Sequence, residues 1–505
     1  MIMDDSDSPR SIEGDEHPGQ RPEMRMYISG QREPSESESV CRSTNPATGE
    51  TVGTYPDGTR VDAQRAIEAA AAAQPALGRL SRFERADLLQ SAATAVEDEI
   101  PRLSRTLTTE QGKPLPEAVG EVEGVVGKLS AAAEDIRRDE LPTLPSGDPN
   151  KHVYLRREPH GVYGVITPWN YPLSTAATYL APGLAVGNCA VWVPPPETSV
   201  VALELAAVLG EALPEGVLNV VTGEGPTVGD ELVVNETVDA IAFTGSSEVG
   251  ELIAKRAGTK PTLLELGGNG PIVVLDDTDV NDAAERVAGG AFTNAGQICT
   301  ASEHVIVHED IVAEFTDRLV EIAEEVTVGD PMSDGTDMGP LNNPNVVEKV
   351  SQHVDDAIKS GATLHHGGER SAGNQTDLYY EPTVLGDVTP EMAVSHEESF
   401  GPIAPIETVS SYDEAIKRAN ADDFGLSVGV FTQDVGTMYR FVAELEAGAV
   451  NVNDASSNWE PHTPVGGYTG KRSGTGRYGG RFTIEEMSQI KTVSVDYGTG
   501  TRSRE

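Results

Sequence analysis

The sequence predicts an α/β protein, with a doubly wound, mostly parallel sheet followed by a second α/β unit. Three observations carry that expectation. From residue 153 onward short apolar runs alternate with helical segments, and repeated strand, helix and strand units of this length require right-handed crossovers. A similar alternation resumes from 272 to about 450. At one domain per roughly 150 residues, 505 residues allow two to four domains with large buried cores.

Residues 1–25 are rich in Asp, Glu, Ser, Pro and Gly with almost no apolar periodicity. Burial there cannot offset the entropy of ordering, so the segment reads as a disordered acidic leader. Between 61 and 139, Ala, Leu and Ile recur at three and four residues, which marks helices, and Asp62 and Ser81 are placed to cap two of them. Strands follow at 162–167, 190–193, 218–221, 240–243 and 263–265, with helices over 174–186 and 199–213 and others beginning near Pro226 and Ser246. Ligands bind such sheets beyond the carboxyl ends of the strands. The residues after each strand are therefore the first place to look for a site.

The chain carries 81 acidic and 37 basic side chains, a net charge of −44. Nucleic acid is excluded as a partner, because phosphate binding needs clustered Lys and Arg. The acidity runs along the whole chain, and only ten of the basic residues are Lys. Dispersed carboxylates keep a surface hydrated in strong salt, which in turn screens their repulsion, so a halophilic cytoplasm is expected. Cys41, Cys189 and Cys299 are too few and too scattered for a disulfide framework or a metal cluster, so no metal is expected and a reducing cytoplasm fits. Asp4, Asp5 and Asp7 stand where a secretory signal needs basic residues. No uncharged apolar run reaches membrane-spanning length, and a soluble, unexported protein is expected.

Four segments can carry chemistry. Cys299, in Asn294-Ala-Gly-Gln-Ile-Cys-Thr300, lies on an irregular segment between a helical run and the strand at 304–307. A free cysteine is more often a small buried hydrophobe, but such a loop can present a thiolate and leave its backbone N–H free for an oxyanion. Glu265 ends a strand and precedes Leu266-Gly-Gly268, where the backbone can approach a ligand closely. Asn170, in Thr167-Pro-Trp-Asn-Tyr-Pro172, follows the first strand of the parallel sheet and can donate to the same oxyanion. Gly245 and Gly250, in Phe243-Thr-Gly-Ser-Ser-Glu-Val-Gly250, flank a strand-to-helix turn whose amides can hold phosphate. It is no Walker loop, because Glu251 and Leu252 follow.

In order and spacing these segments resemble the aldehyde dehydrogenase superfamily. The resemblance spans nearly the whole chain: Asn45-Pro-Ala-Thr-Gly-Glu50, Pro168-Trp-Asn-Tyr-Pro172, Phe243-Thr-Gly-Ser246, Leu264-Glu-Leu-Gly-Gly268, Gly296-Gln-Ile-Cys299, Glu397-Glu-Ser-Phe-Gly-Pro402 and Ser473-Gly-Thr-Gly-Arg477. It implies oxidation of an aldehyde to an acid. Cys299 attacks the carbonyl, Asn170 and the Cys299 N–H hold the oxyanion, hydride passes to NAD or NADP, and Glu265 activates the water that releases the thioester. It implies a coenzyme site made by Thr167, Pro168, Trp169, Val193, Gly245, Ser246, Gly250, Gly267, Glu398 and Phe400. Ser246 would touch the pyrophosphate, Glu398 the nicotinamide ribose, and Phe400 would pack beside the ring. Tyr171, Ile298, Thr300, Trp459 and Val465 would line the substrate tunnel.

The implied parts are a dinucleotide-binding domain (26–144 and 162–264), a catalytic domain (265–481) and a small β oligomerisation element (145–161 and 482–505), hence a homodimer or homotetramer. Several residues depart from the family pattern. Val193 replaces a Lys that bonds the adenosine ribose, and Pro196 an acid common in NAD-preferring members. Tyr179 stands where a Lys commonly relays protons, Val465 where a Phe borders the tunnel, and Thr178 where succinic semialdehyde members often show an Arg. A coenzyme-A-acylating semialdehyde dehydrogenase typically lacks the water-activating Glu, so Glu265 argues against it. A non-catalytic binding protein on this fold has only Val193 in its favour, against the retained Asn170, Glu265 and Cys299.

Overall fold

The computed structural model describes residues 23–498, so residues 1–22 of the expected leader lie outside the described residues. Structure begins before residue 26: Glu23 bridges Thr54, and the Met24 N–H donates to the Thr54 carbonyl at 2.8 Å. Four helices follow, Arg60–Leu77, Arg82–Asp98, Ile100–Gln111 and Leu115–Arg138. Ser81 caps the second as expected, accepting from the Glu84 N–H while the Glu84 carboxylate accepts from Ser81. Asp62 is no N-cap. Thr59 holds that position, and Asp62, three residues on, accepts the Thr59 N–H at 2.9 Å, because a Thr followed at that spacing by an acid closes a reciprocal capping box.

The first sheet has eight strands. Its parallel centre runs in space Thr262–Glu265, Ala240–Thr244, Val162–Ile166, Cys189–Val193, Leu218–Val220. Each forms within one residue of its expected ends, because every one is a short apolar run whose residues are nearly all buried. The helix expected near Pro226 begins there, as a wide π-helical turn over Gly225–Gly229 that continues into the α-helix Asp230–Val234. The chain winds outward in one direction from Val162–Ile166 and then returns to its other side at Ala240–Thr244. The crevice between those two carboxyl ends is a topological switch point. At one edge Gly474–Thr475 pairs antiparallel with Thr262–Glu265, so a late segment of the chain closes over the strand that ends in Glu265.

A second sheet of seven strands is parallel apart from Thr363–His366 at its edge, and it carries His304–His308 immediately after the Cys299 loop. Lys151–Pro159 and Ser488–Asp496 pair along their full length, and Thr143–Leu144 adds a third strand. Ile490, Val495 and Tyr497 remain exposed on or beside that small sheet.

Candidate active site

A cavity of about 610 Å³ opens where the strands end. Pro168, Trp169 and Asn170 enter it after Val162–Ile166, Gly245 and Ser246 after Ala240–Thr244, and Glu265 and Gly267 at the end of Thr262–Glu265. Ile298, Cys299 and Thr300 come from the loop after the helix Val280–Phe292, and Glu398 and Phe400 from the turn before Ile403–Val409. Tyr171, Trp459 and Val465 complete the predicted substrate residues. Gly268 lets the two reactive segments meet, since a Cβ there would stand 2.2 Å from the Cys299 carbonyl oxygen.

The Cys299 loop is held in a costly backbone conformation. Asn294, Ala295 and Gly296 take φ of 50°, 54° and 72°, and each non-Gly residue in that region costs of order 1–3 kcal/mol. Side chains fix it from several directions. Asn294 Oδ1 accepts from Gln111 Nε2 at 3.1 Å, its N–H donates to Glu117 at 3.1 Å, and Gln297 Nε2 donates to the Asn294 carbonyl at 2.8 Å. Asn170 joins the loop directly, because one hydrogen of Nδ2 donates to the Gln297 carbonyl at 2.9 Å. An amide carries two such hydrogens, so a second donor remains for the cavity.

Charge is tuned where these segments meet. Burial pushes the Glu265 carboxyl up to about 7; the Cys299 and Thr244 side chains pull it back and Glu398 adds to the rise. Its Oε1 is buried without a hydrogen-bond partner among the described residues. Burial, and then the charge of Glu265, hold the Cys299 thiol well above its usual range. Cys299 is nonetheless partly open to the cavity. A neutral thiol beside a base with pKa near neutrality is a nucleophile that can be switched on by proton transfer.

The aldehyde dehydrogenase family model matches residues 33–493. The chain belongs to the aldehyde dehydrogenase family. It is 40% identical to the α-ketoglutarate semialdehyde dehydrogenase of Haloferax volcanii over 94% of this chain and 99% of that protein. Among solved structures, an NAD-dependent aldehyde dehydrogenase from Sinorhizobium meliloti superposes with a TM-score of 0.92 at 36% identity, covering 96% of this chain and 97% of that one. An NADP-dependent enzyme from E. coli gives 0.91 at 34% identity, covering 94% and 98%. The protein oxidises an aldehyde to a carboxylic acid with hydride transfer to NAD or NADP.

The residues present fit that coenzyme in an aldehyde dehydrogenase. Ser246 lines the cavity and caps the helix Ser247–Arg256, whose N-terminus follows the strand at the switch point, where free amides suit a phosphate. Gly267 leaves a cradle, since a Cβ would stand 3.2 Å from both Glu398 oxygens. Among the described residues Glu398, pushed up to about 7 by burial, accepts only the Gly268 N–H, at 3.2 Å, and keeps lone pairs for ribose hydroxyls. Phe400 takes φ of 60° and meets Trp169 edge to face at 5.5 Å.

Three predicted coenzyme residues do not line the cavity. Thr167 accepts the Trp192 Nε1 hydrogen at 2.9 Å inside the fold. Val193, 3% exposed, packs into the core at the end of its strand. Gly250 serves packing, because a Cβ there would stand 2.2 Å from Leu266 Cδ2. Tyr179 does line the cavity, and its hydroxyl hydrogen bonds Thr244 Oγ1 at 2.6 Å, next to Glu265.

Residues that sequence reasoning missed hold this site in place. Lys113 Nζ, wholly buried, donates to Glu121 at 2.6 Å and to the Asn170 carbonyl at 2.9 Å. Glu121 in turn accepts the Leu173 and Ser174 N–H groups at the start of the helix Pro172–Val186. Glu303 accepts the Ser399 and Phe400 N–H groups at 2.6 and 2.7 Å and so fixes the Glu398 turn. The available signals were a Lys directly after a helix-ending Gly112 and an acid directly before the buried strand His304–His308.

Proposed function

We propose that this aldehyde dehydrogenase is of the hydrolytic type and prefers NAD, with Cys299 as nucleophile, Asn170 as oxyanion donor and Glu265 as base. The observation that carries the reading is the meeting of the three in one cavity, with a buried Glu265 raised to about 7 beside the thiol. At neutral pH such a carboxylate takes the Cys299 proton, and the sulfur adds to the aldehyde carbon. The oxyanion of the thiohemiacetal then sits against the second Asn170 amide hydrogen and the Cys299 N–H. When bound, the nicotinamide supplies the hydride acceptor. Once the thioester has formed and Glu265 has passed the thiol proton on to the Thr244 and Tyr179 hydroxyls, the carboxylate takes a proton from water, and the hydroxide displaces Cys299 as its thiolate while the acid leaves. The unpartnered Oε1 is the atom suited to hold that water, and Thr244 and Tyr179 extend a line of hydroxyls along which the proton can leave.

NAD preference rests on Val193 and on Pro194, Pro195 and Pro196, which offer no side-chain donor to a 2′-phosphate, and on the half-buried Glu197 beside them, which repels one. Homo-oligomerisation rests on the exposed apolar side chains of the small three-stranded sheet. A halophilic cytoplasm rests on the charge of −44. No helix among the described residues is long and apolar enough to cross a membrane. The test is formation of reduced coenzyme from a panel of aldehydes in concentrated potassium chloride, with and without coenzyme A. Turnover with water alone supports the hydrolytic reading, and turnover that requires coenzyme A overturns it.

A further inference from the structure

Lys128, on the helix Leu115–Arg138, lines the same cavity from the side of Ser174 and Trp459. Its Nζ donates to the Ser174 carbonyl at 3.0 Å and to the Ser174 hydroxyl, and it lies 5.3 Å from the centre of the Trp459 ring. An ammonium has three hydrogens, so one is left. Among the described residues no carboxylate forms an ion pair with it; the acid that acts on it, Glu121, is already held by Lys113 at 2.6 Å. Burial pushes Lys128 down to about 8, the direction expected of a cation whose partners are all neutral.

A wall of aromatic rings joins this cation to the reactive groups. Trp459 meets Tyr478 at 5.8 Å, and Tyr478 meets Tyr179 at 6.3 Å. Tyr478 is close enough to Glu265 and Cys299 for their charges to act on its hydroxyl. Such a wall suits a methylene chain whose head is at Cys299 and whose tail reaches Lys128. The other lysine of the cavity, Lys349, acts on Glu398 and belongs to the coenzyme end.

We infer that Lys128 is a specificity-determining residue that receives a carboxylate at the far end of the substrate, so that the preferred substrates are aldehydes bearing an acid group. This deepens the proposed function and rests on its placement of the reacting carbon at Cys299. In a chain of −44 the net field repels an anion. A partly dehydrated ammonium in the tunnel gives it one strong hydrogen bond.

The experiment compares kcat/KM for 5-oxopentanoate and for pentanal, which share chain length, in the wild type and in Lys128→Met and Lys128→Arg, at one potassium chloride concentration. The wild type should prefer 5-oxopentanoate. Lys128→Met should shrink that preference about 10- to 100-fold, chiefly by raising KM for the acid aldehyde, and Lys128→Arg should restore part of it. A wild type without preference, or a Lys128→Met variant that keeps it, overturns the inference. If Lys128→Met loses both substrates equally, the residue is structural and the inference fails as well. Failure of the wild type to oxidise either aldehyde would instead count against the hydrolytic reading.

Discussion

Glu265→Gln separates the two halves of the reaction. The amide keeps the shape of the carboxylate, and because Oε1 has no partner the change breaks no hydrogen bond at that atom. It removes a charge that burial opposes. A rise from 4.5 to about 7 corresponds to on the order of 3 kcal/mol of differential interaction between the two protonation states. The stability this carboxyl contributes is present below about 4.5 and is lost as pH rises through about 7, so the Gln variant should melt higher than the wild type at pH 8. Activity should move the other way. With an ionised fraction of about one tenth at pH 6 and nine tenths at pH 8, wild-type steady-state turnover should rise several-fold between them. The variant should turn over about 10²- to 10⁴-fold more slowly, with no rising limb near 7. Stopped-flow absorbance of reduced coenzyme at high pH, where the thiol ionises without help from a base, should still show a burst of up to one equivalent per site followed by a nearly flat phase. A variant with wild-type steady-state turnover, or an unchanged pH limb, would refute the assignment.

Three further outcomes are expected. Lys113→Met leaves Glu121 buried without its cation, which should cost about 3–5 kcal/mol and lower the melting temperature, and adding Glu121→Gln should recover part of that loss in calorimetry. Lowering salt from 1 M to 0.1 M lengthens screening from about 3 Å to about 10 Å, so with −44 on the chain both melting temperature and activity should fall on dialysis, and unchanged melting would count against the halophilic reading. The ratio of kcat/KM for NAD over NADP, at one saturating aldehyde and one salt concentration, should be about 5 to 30; a ratio favouring NADP would reverse the coenzyme assignment.

Asn170 and Glu265 were legible because each follows an apolar run that ends at a sheet's carboxyl edge, and Cys299 because its loop stands between a helix and a strand. What escaped was set by contacts distant in sequence. Lys113 and Asn170 are 57 residues apart, and no local pattern says that a lysine in so acidic a chain is buried to hold a carbonyl. The direction of Val193 depends on how its strand faces the core, which the motif around it does not record. Asp62 and Thr59 are both good capping residues, and only the reciprocal geometry assigns the cap to Thr59. The pairing of Gly474–Thr475 with the strand of Glu265 joins segments about two hundred residues apart through a two-residue strand too short to show a period.

The central claim is that the substrate becomes covalently attached to Cys299. Intact-mass and peptide-mapping spectrometry of Glu265→Gln, acid-quenched after mixing with NAD and an aldehyde at high pH, tests it most directly. The account predicts one acyl group per chain, on the peptide containing Cys299, and none when Cys299→Ala is added, although that double variant should still bind coenzyme. An acyl group on another residue, or a burst of reduced coenzyme with no acyl-enzyme, would contradict it.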